Sequence, residues 1–212
     1  MHESLGKTFV NIVNVVVTAA IKQKVDLGSV VKAFPEVQYR PEVFPGLVYR
    51  LKKPKTAILI FSSGKMVCTG AKSKRQAKKA VMKVVDDLKR NGIVIVGKPD
   101  IQVQNIVASA GLDGTIDIEK AAYSLKRSMY EPEQFPALIY RMEEPKVVIL
   151  IFSTGKLVIT GAKNEEEIYR GAAKLLETLE EKELIHYEQE PHRHGWNVEV
   201  TDQHEYMSYC QR

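Results

Sequence analysis

A chain of 212 residues, 44% hydrophobic and 27% charged, holds enough apolar material for one or two packed domains and is not a disordered protein. It has no apolar run of membrane-spanning length, its first residues lack an apolar signal segment, and its two cysteines, Cys68 and Cys210, do not make a disulfide framework, so an intracellular setting is expected. The formal charge of +5 is unevenly spread: residues 1–97 hold 18 Lys and Arg against 6 Asp and Glu, and residues 98–212 hold 13 against 20, which points to a polyanion for the first half and a different partner for the second.

In chain order, residues 9–19 are dense in Val with interleaved polar residues and read as a long strand. A short amphipathic helix follows over residues 26–34, with Asp26 as its cap and Leu27, Val30, Val31 and Phe34 on one face. Three strands are predicted over residues 46–51, 56–61 and 65–69, separated by turns at Lys53-Pro54 and Ser63-Gly64. A long helix over residues 73–91 carries an apolar stripe of Ala77, Ala80, Val81, Val84, Val85 and Leu88. The same series then recurs: a strand over 101–110, a helix over 117–126, strands over 137–142, 147–152 and 156–160, and a helix over 164–183.

The recurrence is in the residues as well as in the pattern. PEVFPGLVYRLKKPKTAILIFSSGKMVCTGAK at residues 41–72 returns, without a gap and with about two-thirds of positions identical, as PEQFPALIYRMEEPKVVILIFSTGKLVITGAK at 132–163. Landmarks such as Phe44 and Phe135, or Phe61 and Phe152, stand 91 residues apart. The expected domains are a first repeat over 8–97, a second over 98–185 and an extension over 186–212. Strand, helix, strands, helix in each repeat predicts an α+β fold with helices on one face of an antiparallel sheet. Strand 56–61 is apolar at nearly every position, so the other sheet face awaits a ligand or a second chain.

The blocks FPGLVYR, LIFSSGKMVCTGAK, EPEQFPALIYRM and LIFSTGKLVITGAK resemble the paired signature of the TATA-box-binding protein family, most closely its archaeal members. The resemblance runs from about residue 9 to 185. It implies a saddle of two tandem pseudo-symmetric repeats, a curved antiparallel β-sheet with helices on the convex face, whose concave face lies in the minor groove of double-stranded promoter DNA. It also implies a non-enzymatic general transcription factor without cofactor or metal, cytoplasmic and on the nucleoid, working with transcription factor B and the RNA polymerase machinery. The apolar concave face allows self-association of the free protein. The alternative is a divergent paralogue acting as a protein scaffold or as a generic DNA-binding module.

The resemblance implies roles for individual residues. Phe44, Phe61, Phe135 and Phe152 match the wedges that open base steps, a mode for which this family is itself the standard example. Asn11 and Asn105 match its central asparagines, whose carboxamides donate to adenine N3 and thymine O2. Thr69 and Thr160 match its hydroxyl positions. Val13, Val107, Val67, Val158, Leu59 and Leu150 match its apolar floor, which leaves the guanine amino group crowded and unpaired. Arg50, Arg141, Lys65, Lys156, Lys72 and Lys163 match phosphate-facing positions, with Ser63 and Thr154 as neutral additions. Glu131 and Glu133 match the acidic stirrup offered to transcription factor B, where the first repeat has Arg40 in place of Glu131.

Departures from the family pattern are Ala137 in place of glycine, which implies a stiffer second stirrup, Cys68 at an aliphatic position, which implies inert packing, and the basic Lys52-Lys53 pair. The extension holds His192, His194, His204 and Cys210, a donor set whose spacing matches no strong zinc pattern.

Overall fold

The computed structural model describes residues 9–187. Its elements are β1 (Phe9–Ala20), α1 (Leu27–Ala33), β2 (Leu47–Leu51), β3 (Thr56–Ile60), β4 (Lys65–Ala71) and α2 (Lys74–Arg90), then β5 (Asp100–Gly111), β6 (Thr115–Ile116), α3 (Ile118–Ser124), β7 (Ser128–Met129), β8 (Leu138–Met142), β9 (Val147–Ile151), β10 (Lys156–Ala162), α4 (Glu165–Glu181) and β11 (Ile185–His186). Nine strands make one antiparallel sheet in the order β2-β3-β4-β1-β5-β10-β9-β8-β7. The two long Val-rich strands, β1 and β5, lie side by side at its centre and join the repeats.

Each helix starts where its cap residue allows. Asp26 accepts from the Gly28 N–H, Asp117 from Lys120, Ser73 from Gln76 and Asn164 from Glu167, so each oxygen satisfies an amide that the first turn leaves without a partner. Behind these caps the 3.6-residue spacing gathers Ala77, Ala80, Val81, Val84, Val85 and Leu88 of α2 against β1, β3 and β4. Ile168, Ala172, Leu175 and Leu179 of α4 do the same against β5, β9 and β10. Full burial of each Val or Leu contributes about 1.5–3 kcal/mol, which anchors the helices far more firmly than their caps do. One sheet face is thereby sealed and the other left open, the saddle with its helices on the convex side.

The turn before β4 and the turn before β10 are built alike. Gly64 and Gly155 have φ of 84° and 78°, and a Cβ at either would sit 2.1 Å and 2.3 Å from a carbonyl oxygen of the neighbouring segment, so only glycine fits. Three two-residue strands, β6, β7 and β11, were not expected from the sequence, because so short a segment shows no alternation. β11 pairs with β6, with His186, the first residue of the expected extension, opposite Thr115 of the second repeat. His192, His194, His204 and Cys210 of the extension lie outside the described residues.

Candidate nucleic-acid interface

The pairing of β1 with β5 locates a pseudo-two-fold axis. Val15 pairs with Ile106, its own counterpart 91 residues on, and the pairs on either side, Asn14 with Val107 and Val16 with Asn105, exchange under the same relation. Further out, Asn11 with Ser109 exchanges with Thr18 and Gln102. Asn105 is therefore equivalent to Asn14, not to Asn11, and Val107 is equivalent to Val16, not to Val13. The tripeptide Asn-Ile-Val occurs at 11–13 and at 105–107, but its first occurrence is three residues out of register. Val13 and its true counterpart Gln104 are the residues that the ladder skips on the two strands, a matched pair of β-bulges.

The hydrogen bonds agree with this assignment. The Asn14 carboxamide oxygen accepts from the Gly70 N–H at 2.8 Å, and its Nδ2 donates to Thr69 Oγ1 at 3.2 Å. The Asn105 oxygen accepts from the Gly161 N–H at 2.8 Å, and its Nδ2 donates to Thr160 Oγ1 at 3.1 Å. Gly70 and Gly161, with φ of 90° and 96°, turn their amides toward the asparagines. Each oxygen is thus held by the backbone, which fixes the amide flip and leaves the second Nδ2 hydrogen available to a further acceptor. Asn14 is only 4% exposed, whereas Asn11 is exposed.

Around the asparagines lies an apolar floor that does not join the core. Leu59 and Val67 pair with each other and extend to Val48 on one side and Thr18 on the other. Leu150 and Val158 pair in the same way between Ile139 and Ser109. These side chains are half-buried, and none is packed against the hydrophobic core cluster; Val107 is buried yet also lies outside it. Val16, Thr18, Val48, Ser109 and Ile139 belong to this surface and were missed from the sequence, although alternation along strands already marked would have placed them there.

At the two ends of the floor stand the phenylalanines. Phe44 and Phe61 meet edge to face with centroids 5.7 Å apart, and Phe135 and Phe152 do so at 6.2 Å. None of the four belongs to the core cluster. A Cβ at Gly46 would fall 2.6 Å from the Phe44 ring and 2.9 Å from Phe61, and in the second repeat that position is Ala137. Gly46 has no positive φ, so an alanine at this position strains no backbone, and its methyl bears on the spacing of the two rings in addition to the stiffness expected from the sequence.

The rim is charged. Arg50 and Arg141 follow Val48 and Ile139 on the open face of β2 and β8, Lys65 and Lys156 begin β4 and β10, and Lys72 and Lys163 follow them; all six are exposed. Ser63 and Thr154 are exposed in the glycine turns, and the Ser63 hydroxyl accepts from the Lys65 N–H at 3.4 Å, a turn contact. The loops before Phe44 and Phe135 share one geometry, with the Phe44 N–H donating to Arg40 O and the Phe135 N–H to Glu131 O, so Arg40 and Glu131 are true counterparts. Glu131 and Glu133 are exposed. Cys68 is fully buried, and burial pushes its thiol up to about 11, which makes it an inert core residue.

Among the described residues, no group of three or more His, Cys, Asp or Glu side chains is placed to hold a metal ion, and no helix is long and apolar enough to cross a membrane. The family model of transcription factor TFIID, or TATA-binding protein, matches residues 9–91 and again 100–182, each match covering one repeat. A TATA-box-binding protein of Pyrodictium occultum is 55% identical over 183 residues, covering 86% of this chain and 92% of its own length. One of Sulfurisphaera tokodaii is 52% identical over 179 residues, covering 84% and 90%. The solved structure of Methanococcus jannaschii TBP superposes with a TM-score of 0.76 at 48% identity, covering 81% of this chain and 98% of that one. With both repeats matched in sequence and in fold, the chain belongs to the TATA-binding protein family.

Proposed function

We propose that this chain is a general transcription factor of the cell interior that binds the minor groove of A/T-rich promoter DNA on its open sheet face. In this reading the duplex is bent by insertion of the Phe44–Phe61 and Phe135–Phe152 pairs. The observation that carries it is the apolar floor off the core, centred on two asparagine donors and closed at both ends by aromatic pairs. A·T and T·A pairs both present acceptors in the minor groove, which the second Nδ2 hydrogens of Asn14 and Asn105 satisfy, while the guanine amino group would meet apolar side chains or another donor. Arg50, Arg141, Lys65, Lys156, Lys72 and Lys163 fix position on the phosphates.

A gel-shift titration on a TATA duplex and a G·C-substituted control, at two salt concentrations, tests this. Strong A/T preference with steep salt dependence is expected, and equal binding to both duplexes would overturn it. Arg141→Ala should weaken binding to every sequence alike and reduce the salt slope by about one; a loss confined to A/T sites would remove its phosphate role.

The exposed Glu131 and Glu133 form the surface that we assign to transcription factor B, through which RNA polymerase is recruited. Its support is the charge difference from Arg40 in a loop of the same geometry, which otherwise differs only in having Gln134 where the first repeat has Val43. Glu131→Arg is expected to leave DNA binding intact while weakening the ternary complex about tenfold or more, because it sets like charges against each other at a contact with a basic partner. Normal ternary assembly by this variant would exclude the assignment.

A further inference from the structure

The pseudo-two-fold axis also reveals where the two ends of the open face differ. At the first-repeat end Asp100, Ala20 and Lys65 pair in a row across β5, β1 and β4. The equivalent row at the other end is Phe9, Gly111 and Lys156, across β1, β5 and β10. Both rows face away from the core, since the flanking Ala19, Met66, Ala110 and Leu157 are buried and Val10 and Ile101 pack on the core cluster. The Phe9 ring lies over Gly111, where a Cβ would fall 2.4 Å from it, and remains 59% exposed. Its counterpart is the exposed carboxylate of Asp100, which accepts from Gln102 Nε2 at 3.1 Å and lines a shallow groove with Phe61 and Lys65.

We infer that Phe9 is a further DNA contact at the second-repeat end and that Asp100 is a repulsive element at the first, so that the chain alone favours one orientation on an asymmetric A/T-rich duplex. The inference rests on the minor-groove reading above. A ring placed over Gly111 extends the apolar floor and excludes water from the sugars beside it. A carboxylate at the same place has no donor to offer: the A/T groove edge presents acceptors and its walls are phosphates, so Asp100 opposes close approach. The two half-sites are consequently gripped with different strength even though the floor between them is nearly symmetric.

The test uses the full chain with Cys210→Ser and a donor dye on Lys79→Cys, an exposed α2 position away from the axis, Cys68 being buried and unreactive. An asymmetric A/T-rich duplex carries the acceptor at one end or the other, and fluorescence transfer gives the ratio of orientations. Exchanging the pair, Phe9→Asp with Asp100→Phe, is expected to move that ratio at least about fivefold toward the opposite orientation. Asp100→Asn, at an exposed site that leaves the fold intact, is expected to tighten binding about threefold and to move the ratio toward unity. Unchanged ratios in both variants, with A/T preference retained, would overturn the inference alone. Loss of A/T preference in the unexchanged chain would instead remove the minor-groove reading, and the inference would fall with it.

Discussion

Phe152→Ala is expected to abolish most of the DNA bending while leaving the first encounter with the duplex nearly unchanged. The two effects separate because they have different causes. Encounter is steered by the exposed Arg and Lys side chains of the rim, which the substitution does not touch. Bending depends on a ring that replaces base stacking at an opened step, and such a contact is worth about 1–3 kcal/mol by truncation to alanine, or roughly 5- to 150-fold in affinity. The loss should appear in the dissociation rate. The fold should survive, since Phe152 is half-buried beside Phe135 and lies outside the core cluster. Fluorescence transfer between dyes at the two duplex ends reads the bend, and stopped-flow mixing reads encounter. A bend that persists in the alanine variant would end the wedge assignment.

The same contrast between ring and core explains what was legible in the sequence. Both repeats, all four helices, the eight longer strands and the open apolar face followed from periodicity and from the exact spacing of the duplicated block. The pairing of the phenylalanines across the repeats was legible because they sit inside that block, where the offset of 91 residues leaves no freedom. The first-repeat asparagine was not, because β1 lies upstream of the block and its sequence offers Asn11 and Asn14 within four residues. A local Asn-Ile-Val match favoured Asn11, whereas the constant offset, carried back to Asn105, favours Asn14. The bulges at Val13 and Gln104 are the physical reason that a short motif cannot decide the face of these strands: one extra residue turns every following side chain over. The closeness of position 137 to the rings was illegible for another reason. Ring-to-Cβ proximity at Gly46 is a tertiary fact with no trace in the local pattern.

Asn14→Asp and Asn11→Asp should differ by more than an order of magnitude in their effect on A/T-duplex binding, with Asn14 the sensitive position. The substitution is nearly isosteric, and an aspartate at 14 keeps an oxygen for the Gly70 N–H and can accept from the Thr69 hydroxyl, so the sheet should hold. What it removes is the available donor at the centre of the floor, and what it adds is a carboxylate against minor-groove acceptors in a site from which water is excluded. An unpaired charge buried in this way costs at least about 3 kcal/mol, on the order of a hundredfold in affinity. An aspartate at the exposed position 11 keeps its solvent, and the screened repulsion there is worth about 1 kcal/mol or less. The two variants also differ in their response to acid. Burial raises the pKa of an aspartate at 14, so lowering the pH through that pKa protonates it, restores an O–H donor and recovers part of the binding. Titrations of both variants at neutral and mildly acidic pH decide the matter: an Asn11→Asp loss equal to or larger than that of Asn14→Asp would return the central role to Asn11 and contradict the symmetry of the β1–β5 register.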